Sequence, residues 1–321
     1  MIHGKACRKT SSFARCTPRF SREMWGLRGP LSEFHTQRRA LVVDNIRVES
    51  FKLNLPKRTP IPVLVEVPHA GTTVPEAMSD ELVAPPDALL RDADIFVDDL
   101  YANAPNLGAA LLCARVSRYV VDLNRAQDDF DSATVSNHPT APGAQPRGVV
   151  WRATTDGRPL LRRPLSFGAL RKRLDRYYVP YHDALRQTLE SLRAQFGFAV
   201  LLAGHSMPSR GRSLHSDAGV RRADVVPGTR GRTTADARLI DLVDAHFRAA
   251  GLSVRHDDPY KGGFATTHYG RPDLRVHAVQ IELNRALYVD EVTFQKRAGD
   301  FEQLQTVLDQ LVLKLGTVDL R

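Results

Sequence analysis

Apolar and polar positions alternate in blocks along most of this chain. Short apolar runs bounded by turn-forming residues read as buried strands: PVLVEV at 62–67, AALLCARV at 109–116, RYVVDL at 118–123, FAVLLAG at 198–204, LSVRHD at 252–257 and VHAVQIEL at 276–283. Between them lie stretches with helical spacing. DADIFVDDLYANAP (92–105) reads as one helix, and FGALRKRLDRYYVPYHDALRQTLESLRAQFG (167–197) as a long one kinked at Pro180. TTADARLIDLVDAHFRAAG (233–251) has a Thr-Thr-x-Asp start and a glycine stop, and VTFQKRAGDFEQLQTVLDQLVLKLG (292–316) closes the pattern. Strands alternating with helices of this length predict an α/β fold. The expected form is a three-layer α/β/α sandwich around a mixed, mostly parallel sheet.

The first 55 residues break this pattern. MIHGKACRKTSSFARCTPRFSREMWGLRGP is rich in Arg, Lys and Ser, nearly acid-free, and without sustained apolar periodicity. It lacks the apolar core of a secretory signal. A transit peptide shares its composition, but a disordered basic tail or an early start codon is the preferred reading, with one catalytic domain over residues 56–321.

The 321 residues suffice for a full core, and 42% hydrophobic with 25% charged residues are ordinary for a soluble globular protein. No apolar run approaches the roughly 20 residues needed to span a bilayer. Cys7, Cys16 and Cys113 form no disulfide framework and no zinc ribbon, which predicts a reducing, cytoplasmic setting. The formal charge of +9 invites a polyanion partner. The arginines are strewn along the chain without aromatic interleaving, so a basic surface or a small anionic substrate explains them better than nucleic acid, whose one candidate segment is the tail.

Candidate chemistry gathers where strands end, as it does in α/β folds. His69 follows PVLVEV, and His205 follows FAVLLAG. VVDLNRA presents Asp122, Asn124 and Arg125; AVQIELNRA presents Glu282, Asn284 and Arg285. Asp94 and Asp98, four apart, would share a helical face. Each has a bland reading: strand-end histidines are commonly hydrogen-bonded structural groups, and aspartates early in a helix serve its dipole. Glu282 between Ile281 and Leu283 is harder to dismiss, because an unpaired buried carboxylate costs several kcal/mol. Two histidines and a carboxylate from separate elements make an open zinc site. A nearby metal-free glutamate could activate water there, and Arg with Asn could hold a carboxylate.

The motifs PHAG, DADIFVDDLY, SRYVVDLNR, GHSMPS, DVVPGTRG, PYKGGFATTHYGRP and QIELNR follow one another over residues 61 to 290. In this order the chain resembles the N-formylglutamate amidohydrolase family, which is similar in fold to zinc carboxypeptidases. The resemblance implies one zinc per chain, with His69 and His205 as ligands and a third from Asp94, or alternatively Asp98. It implies Glu282 as general base, Asn124 and Arg125 as the α-carboxylate clamp, and Arg118 and Arg230 as candidates for the side-chain carboxylate. Tyr260, Lys261, Gly262, Gly263 and His268 would belong to a loop closing over the substrate. The implied reaction is hydrolysis of the N-acyl amide of an acidic amino acid, with N-formyl-L-glutamate to formate and L-glutamate, a last step of histidine breakdown, as the leading case. Another N-acyl amino acid, a peptide or cell-wall amide, or a non-catalytic binding protein on the same fold are the alternatives. One departure stands out: Ala203 occupies a place, two before His205, where the family commonly has an acid that could orient the imidazole.

Overall fold

The computed structural model describes residues 45–47, 50–83, 86–137 and 146–320. In chain order the strands are β1 (Asn45–Arg47), β2 (Phe51–Asn54), β3 (Val63–Val67), β4 (Ala110–Ala114), the short β5 (Val135–Ser136) and β6 (Leu165–Ser166), β7 (Ala199–Met207), β8 (Val225–Gly228) and β9 (Val276–Asn284). The helices are α1 (Pro86–Asp92), α2 (Val97–Leu100), α3 (Phe167–Arg173), α4 (Val179–Phe196), α5 (Ala237–Ala249), α6 (Phe264–Tyr269) and α7 (Asp300–Thr317).

Seven strands build one sheet in the order β1-β2-β4-β3-β7-β9-β8, and β5 with β6 form a separate two-stranded ribbon. The four central strands of the sheet, β4, β3, β7 and β9, run parallel; β1, β2 and β8 pair antiparallel at the edges. Alternating side chains of β3, β4, β7 and β9 feed two cores. Val63, Val65, Val200, Leu202 and Val279 pack with α5 and α7, whereas Leu64, Leu112, Leu201 and Ala278 pack with α3, α4 and α6. The sandwich is therefore the expected three-layer α/β/α fold, with a mixed sheet. From β3 the chain moves to β4 on one side and later returns to β7 on the other. This reversal opens a crevice at the carboxyl ends of β3 and β7, where the two histidines stand.

Several local expectations are corrected. Residues 51–54, assigned to the tail, form β2, whose Phe51 and Leu53 are buried against β4; three or four alternating residues are too short a signal to separate from a loop. Residues 1–44 lie outside the described residues. RYVVDL is a turn rather than a strand, and LSVRHD contributes only a bridge from Val254 to Val225. DADIFVDDLYANAP is not one helix, because Phe96 adopts a left-handed φ of 63° and only the short α-helix Val97–Leu100 and the start of a 3-10 turn at Ala104 follow it. The long helix holds together across Pro180 by inserting a π-turn over Leu174–Tyr178, which absorbs the hydrogen bond that proline cannot make. Helix α5 does begin at the expected Thr-Thr-x-Asp, and its Asp236 is the cap, accepting from the Arg238 amide at 2.9 Å. Among the described residues no helix is long and apolar enough to cross a membrane.

Glu66 of β3 is buried in the layer facing α4, where its Oε1 accepts from Tyr181 at 3.0 Å and its Oε2 has no partner among the described residues. Its register neighbour on β7 is Ala203. A carboxylate thus stands across from the alanine, one strand away from the place the family pattern assigns to an acid. Burial pushes the Glu66 carboxyl up from 4.5 to about 7, against the opposing pull of His205 and Tyr181. The unfolded chain releases this proton near the ordinary value while the folded protein holds it to the higher one, so this group lowers stability as pH climbs through that window. Urea melts should show the wild type losing about 2 kcal/mol more than Glu66→Gln between pH 5 and pH 8; parallel losses would remove Glu66 as the cause.

Candidate active site

His69 sits two residues beyond β3, His205 lies within β7, and Glu282 lies within β9 opposite His205 in the parallel register. Asp94 arrives from the turn between α1 and α2. The left-handed Phe96 reverses the chain there, and the Asp94 amide donates to the His69 carbonyl at 2.9 Å. The donor atoms of His69, Asp94 and His205 lie within 4.8 Å of one another, all three residues buried. Asp94 Oδ2 is 3.1 Å from His205 Nδ1 and 3.4 Å from His69 Nδ1. Burial opposes ionisation of Asp94, yet the two imidazoles override it and hold its carboxyl well below the usual range.

The residues behind this group set its orientation. His69 Nε2 donates to Asp122 Oδ1 at 2.8 Å. In the neutral imidazole that bond leaves Nδ1 unprotonated, and this buried nitrogen has no hydrogen-bond partner among the described residues. An orphaned imidazole nitrogen beside a second imidazole and a carboxylate fits a divalent cation. Asp122 also accepts from Arg118 Nη2 at 2.7 Å, Trp151 Nε1 at 3.0 Å and the Asn124 amide at 3.0 Å. Asp94 Oδ1 accepts from Arg285 Nη2 at 3.2 Å, and the same guanidinium binds the Arg91 and Ala93 carbonyls and Ser206 Oγ. Asp98 is not part of the cluster. The expectation that it shares a helical face with Asp94 fails because no helix joins them, and Asp98 is half-buried at the start of α2.

A cavity of about 230 Å³ opens over these groups. Of the expected substrate residues, Arg118, Asn124, Arg125, Tyr260, Lys261, Gly262 and Gly263 line it together with Glu282. Asn124 is already engaged: its Nδ2 donates to Gln280 Oε1 and to His205 Nε2, both at 3.3 Å, and its Oδ1 accepts from the Ala265 amide. Gly263 packs so closely on Asn124 that a Cβ would come within 2.3 Å of its Nδ2. The Tyr260–Gly263 loop is thus seated against the pocket wall.

Two expected residues are not brought in. Arg230 is exposed and braces the loop from outside, donating to the Gly262 carbonyl at 3.1 Å. His268 is exposed and stacks on Phe264 with ring centres 4.8 Å apart. Conversely, Gln280 and Ser206 line the pocket without having been singled out. Gln280 was legible in principle: it sits two before Glu282, so the same strand face carries both, and its Nε2 donates to Glu282 Oε1 at 2.9 Å. Burial raises the Glu282 carboxyl above the ordinary range although His205 opposes it.

The fold and this strand-end pocket place the protein among the α/β/α hydrolases. The chain belongs to the N-formylglutamate amidohydrolase family, which it matches over residues 61–289. It is 36% identical over 266 residues to the N-formylglutamate deformylase of Pseudomonas aeruginosa, a match covering 81% of this chain and 94% of that one. The N-formylglutamate deformylase of Pseudomonas putida is 36% identical over 259 residues, covering 79% and 92%. The crystal structure of N-formylglutamate amidohydrolase from Ralstonia eutropha superposes with a TM-score of 0.76 at 34% identity, covering 84% of this chain and 98% of that one. A gene product from Agrobacterium tumefaciens shares the fold at 21% identity, with a TM-score of 0.60 over 83% of this chain and 94% of that one.

Arg285 ties the Asp94 turn to the end of β9 from a buried position. Arg285→Met should cost about 3–5 kcal/mol in a denaturant melt, because it leaves a buried carboxylate short of a cation and takes the donor from the Ala93 carbonyl, whereas the Arg91 carbonyl keeps Arg212. A loss below about 1 kcal/mol would show that the turn holds itself.

Proposed function

We propose that this protein hydrolyses the N-acyl amide of an acidic amino acid, with N-formyl-L-glutamate yielding formate and L-glutamate as the leading reaction and a closing step of histidine breakdown in the cytoplasm as its setting. One observation carries the reading: a buried His69-Asp94-His205 donor set and the proton-retaining Glu282 face one cavity whose wall includes Arg118 and Arg125. The names of the curated relatives supply the substrate.

His69, Asp94 and His205 would hold one divalent cation, and two nitrogens with one carboxylate favour zinc. Such a cation supplies Lewis acidity for the acyl oxygen and makes water more acidic at neutral pH. The chain's own groups do the rest. Glu282 accepts the proton of the attacking water and returns it to the departing amine, a task for a carboxylate whose proton affinity has been raised towards the working pH. Gln280 holds Glu282 through its amide. Asp122 keeps His69 in the tautomer that leaves Nδ1 free. Arg125, only 3.6 Å from Asp129 and 38% exposed at its side chain, receives the α-carboxylate. Asn124 keeps that wall in register. Arg118, committed to Asp122 and lying 4.4 Å over the Trp151 ring, adds positive potential more than a free fork. The Tyr260–Gly263 loop limits water entry from above.

Elemental analysis of purified protein should find about one zinc per chain. Chelation should abolish hydrolysis of N-formyl-L-glutamate and added zinc should restore it; full activity in a metal-free preparation would overturn the metal assignment. Glu282→Gln should keep its zinc yet lose about 10²–10⁴ in kcat. Near-normal turnover by that variant would take proton transfer away from Glu282.

A further inference from the structure

Beyond Arg118, Arg125 and Tyr260, which it shares with the cavity above, a second chamber of about 320 Å³ opens, and Arg147 and Arg222 line it. A dianionic substrate needs two separated cationic clamps, and of the expected pair for the side-chain carboxylate Arg230 stands outside while Arg118 is neutralised by Asp122. The remaining cations are unequal. Arg222 is bound by Asp217 through two contacts at 2.7 and 2.9 Å. Among the described residues Arg147 has no carboxylate partner, and its side chain makes a single long hydrogen bond, from Nη1 to the Thr154 carbonyl at 3.4 Å.

We propose that Arg147 is the specificity residue of this pocket, receiving the side-chain carboxylate of the substrate while Arg125 receives the α-carboxylate. The proposal rests on the hydrolase reading above. Arg147 is half-buried and lines the chamber that Arg118 and Arg125 also face. Burial, with those two guanidiniums, works against its charge and presses its pKa below the ordinary arginine value, even though Asp92 pulls the other way. A half-desolvated cation without a counter-ion, next to like charges, gains most from an incoming anion. A carboxylate can meet the guanidinium fork with both oxygens. Arg125 lines both cavities, whereas Arg147 lines only the second chamber and His69, Asp94 and His205 line only the first. With its α-carboxylate on Arg125 at the shared wall, a substrate would have the second chamber open to its acidic side chain. A neutral N-acyl amino acid would leave the half-buried Arg147 unpaired, which is how a site rejects a near-isostere.

The test compares ligands that differ by one carboxylate. Calorimetry on the zinc-loaded full chain should show glutarate binding at least about tenfold tighter than butyrate. Arg147→Met should erase that ratio, and Arg147→Lys should restore part of it. In turnover, Arg147→Met should reduce the preference of kcat/KM for N-formyl-L-glutamate over N-formyl-L-glutamine at least about tenfold, whereas Arg125→Met should weaken both substrates together. Thermal melts identify a variant that fails to fold, and Arg147→Lys then carries the comparison through a reduced ratio. A glutarate-to-butyrate ratio near one in the wild type, or a ratio unchanged in Arg147→Met, overturns the proposal. If the wild type hydrolyses neither substrate, the hydrolase reading fails while the binding ratio still judges Arg147.

Discussion

Asp94 is a carboxylate in the protein interior, 3% exposed, and Arg285, His205 and His69 converge on its two oxygens. An isolated charge at that depth would cost many kcal/mol. His69 comes from the end of β3, His205 from β7 and Arg285 from the turn after β9, so satisfying one carboxylate ties three parallel strands to the α1–α2 turn. Arg285 strengthens the knot by binding the Arg91 and Ala93 carbonyls that precede Asp94. The geometry of the donor set is thereby a consequence of charge satisfaction in the core and not of loop conformation alone.

Asp122 performs the matching task one layer further back. It is fully buried and accepts from His69, Arg118, Trp151 and the Asn124 amide. These bonds fix the tautomer of His69 and occupy the charge of Arg118. The Arg118 guanidinium, with His69, holds the Asp122 carboxyl well below the usual range despite its burial. The two aspartates differ in what they leave open. Asp122 is saturated, whereas the group around Asp94 retains an imidazole nitrogen without a hydrogen bond.

The formal charge of +9 acquires a local meaning from this arrangement. Many surface arginines stand beside an aspartate or glutamate three or four residues away, as Arg186 does with Asp183 and Glu190, and Arg248 with Asp244. Such exposed pairs contribute little to stability and cancel in the far field. What matters at the pocket is which guanidiniums lack an anion. Net charge gave no hint of that, since it counts Arg118 and Arg147 alike.

How much was legible beforehand follows from the range of each signal. Contiguous apolar runs marked β3, β4, β7 and β9, because a parallel strand buried on both faces must be apolar throughout. Strand ends then marked His69, His205 and Glu282, since α/β folds bring such ends together. Short or irregular pieces were misread: the FKLN strand was too brief, RYVVDL was apolar because it packs in the core beside the sheet rather than within it, and the 92–105 stretch was taken as helix although Phe96 breaks it. The choice between Asp94 and Asp98 turned on that one left-handed residue. The amino-acid order alone determined the sandwich, the strand-borne histidines and the glutamate, for these depend on local periodicity and on where runs end. Only the tertiary structure decided which aspartate joins them, which arginines are already paired and which one faces the pocket without a carboxylate, because ion pairing joins side chains far apart in the chain and leaves no mark on the spacing of either.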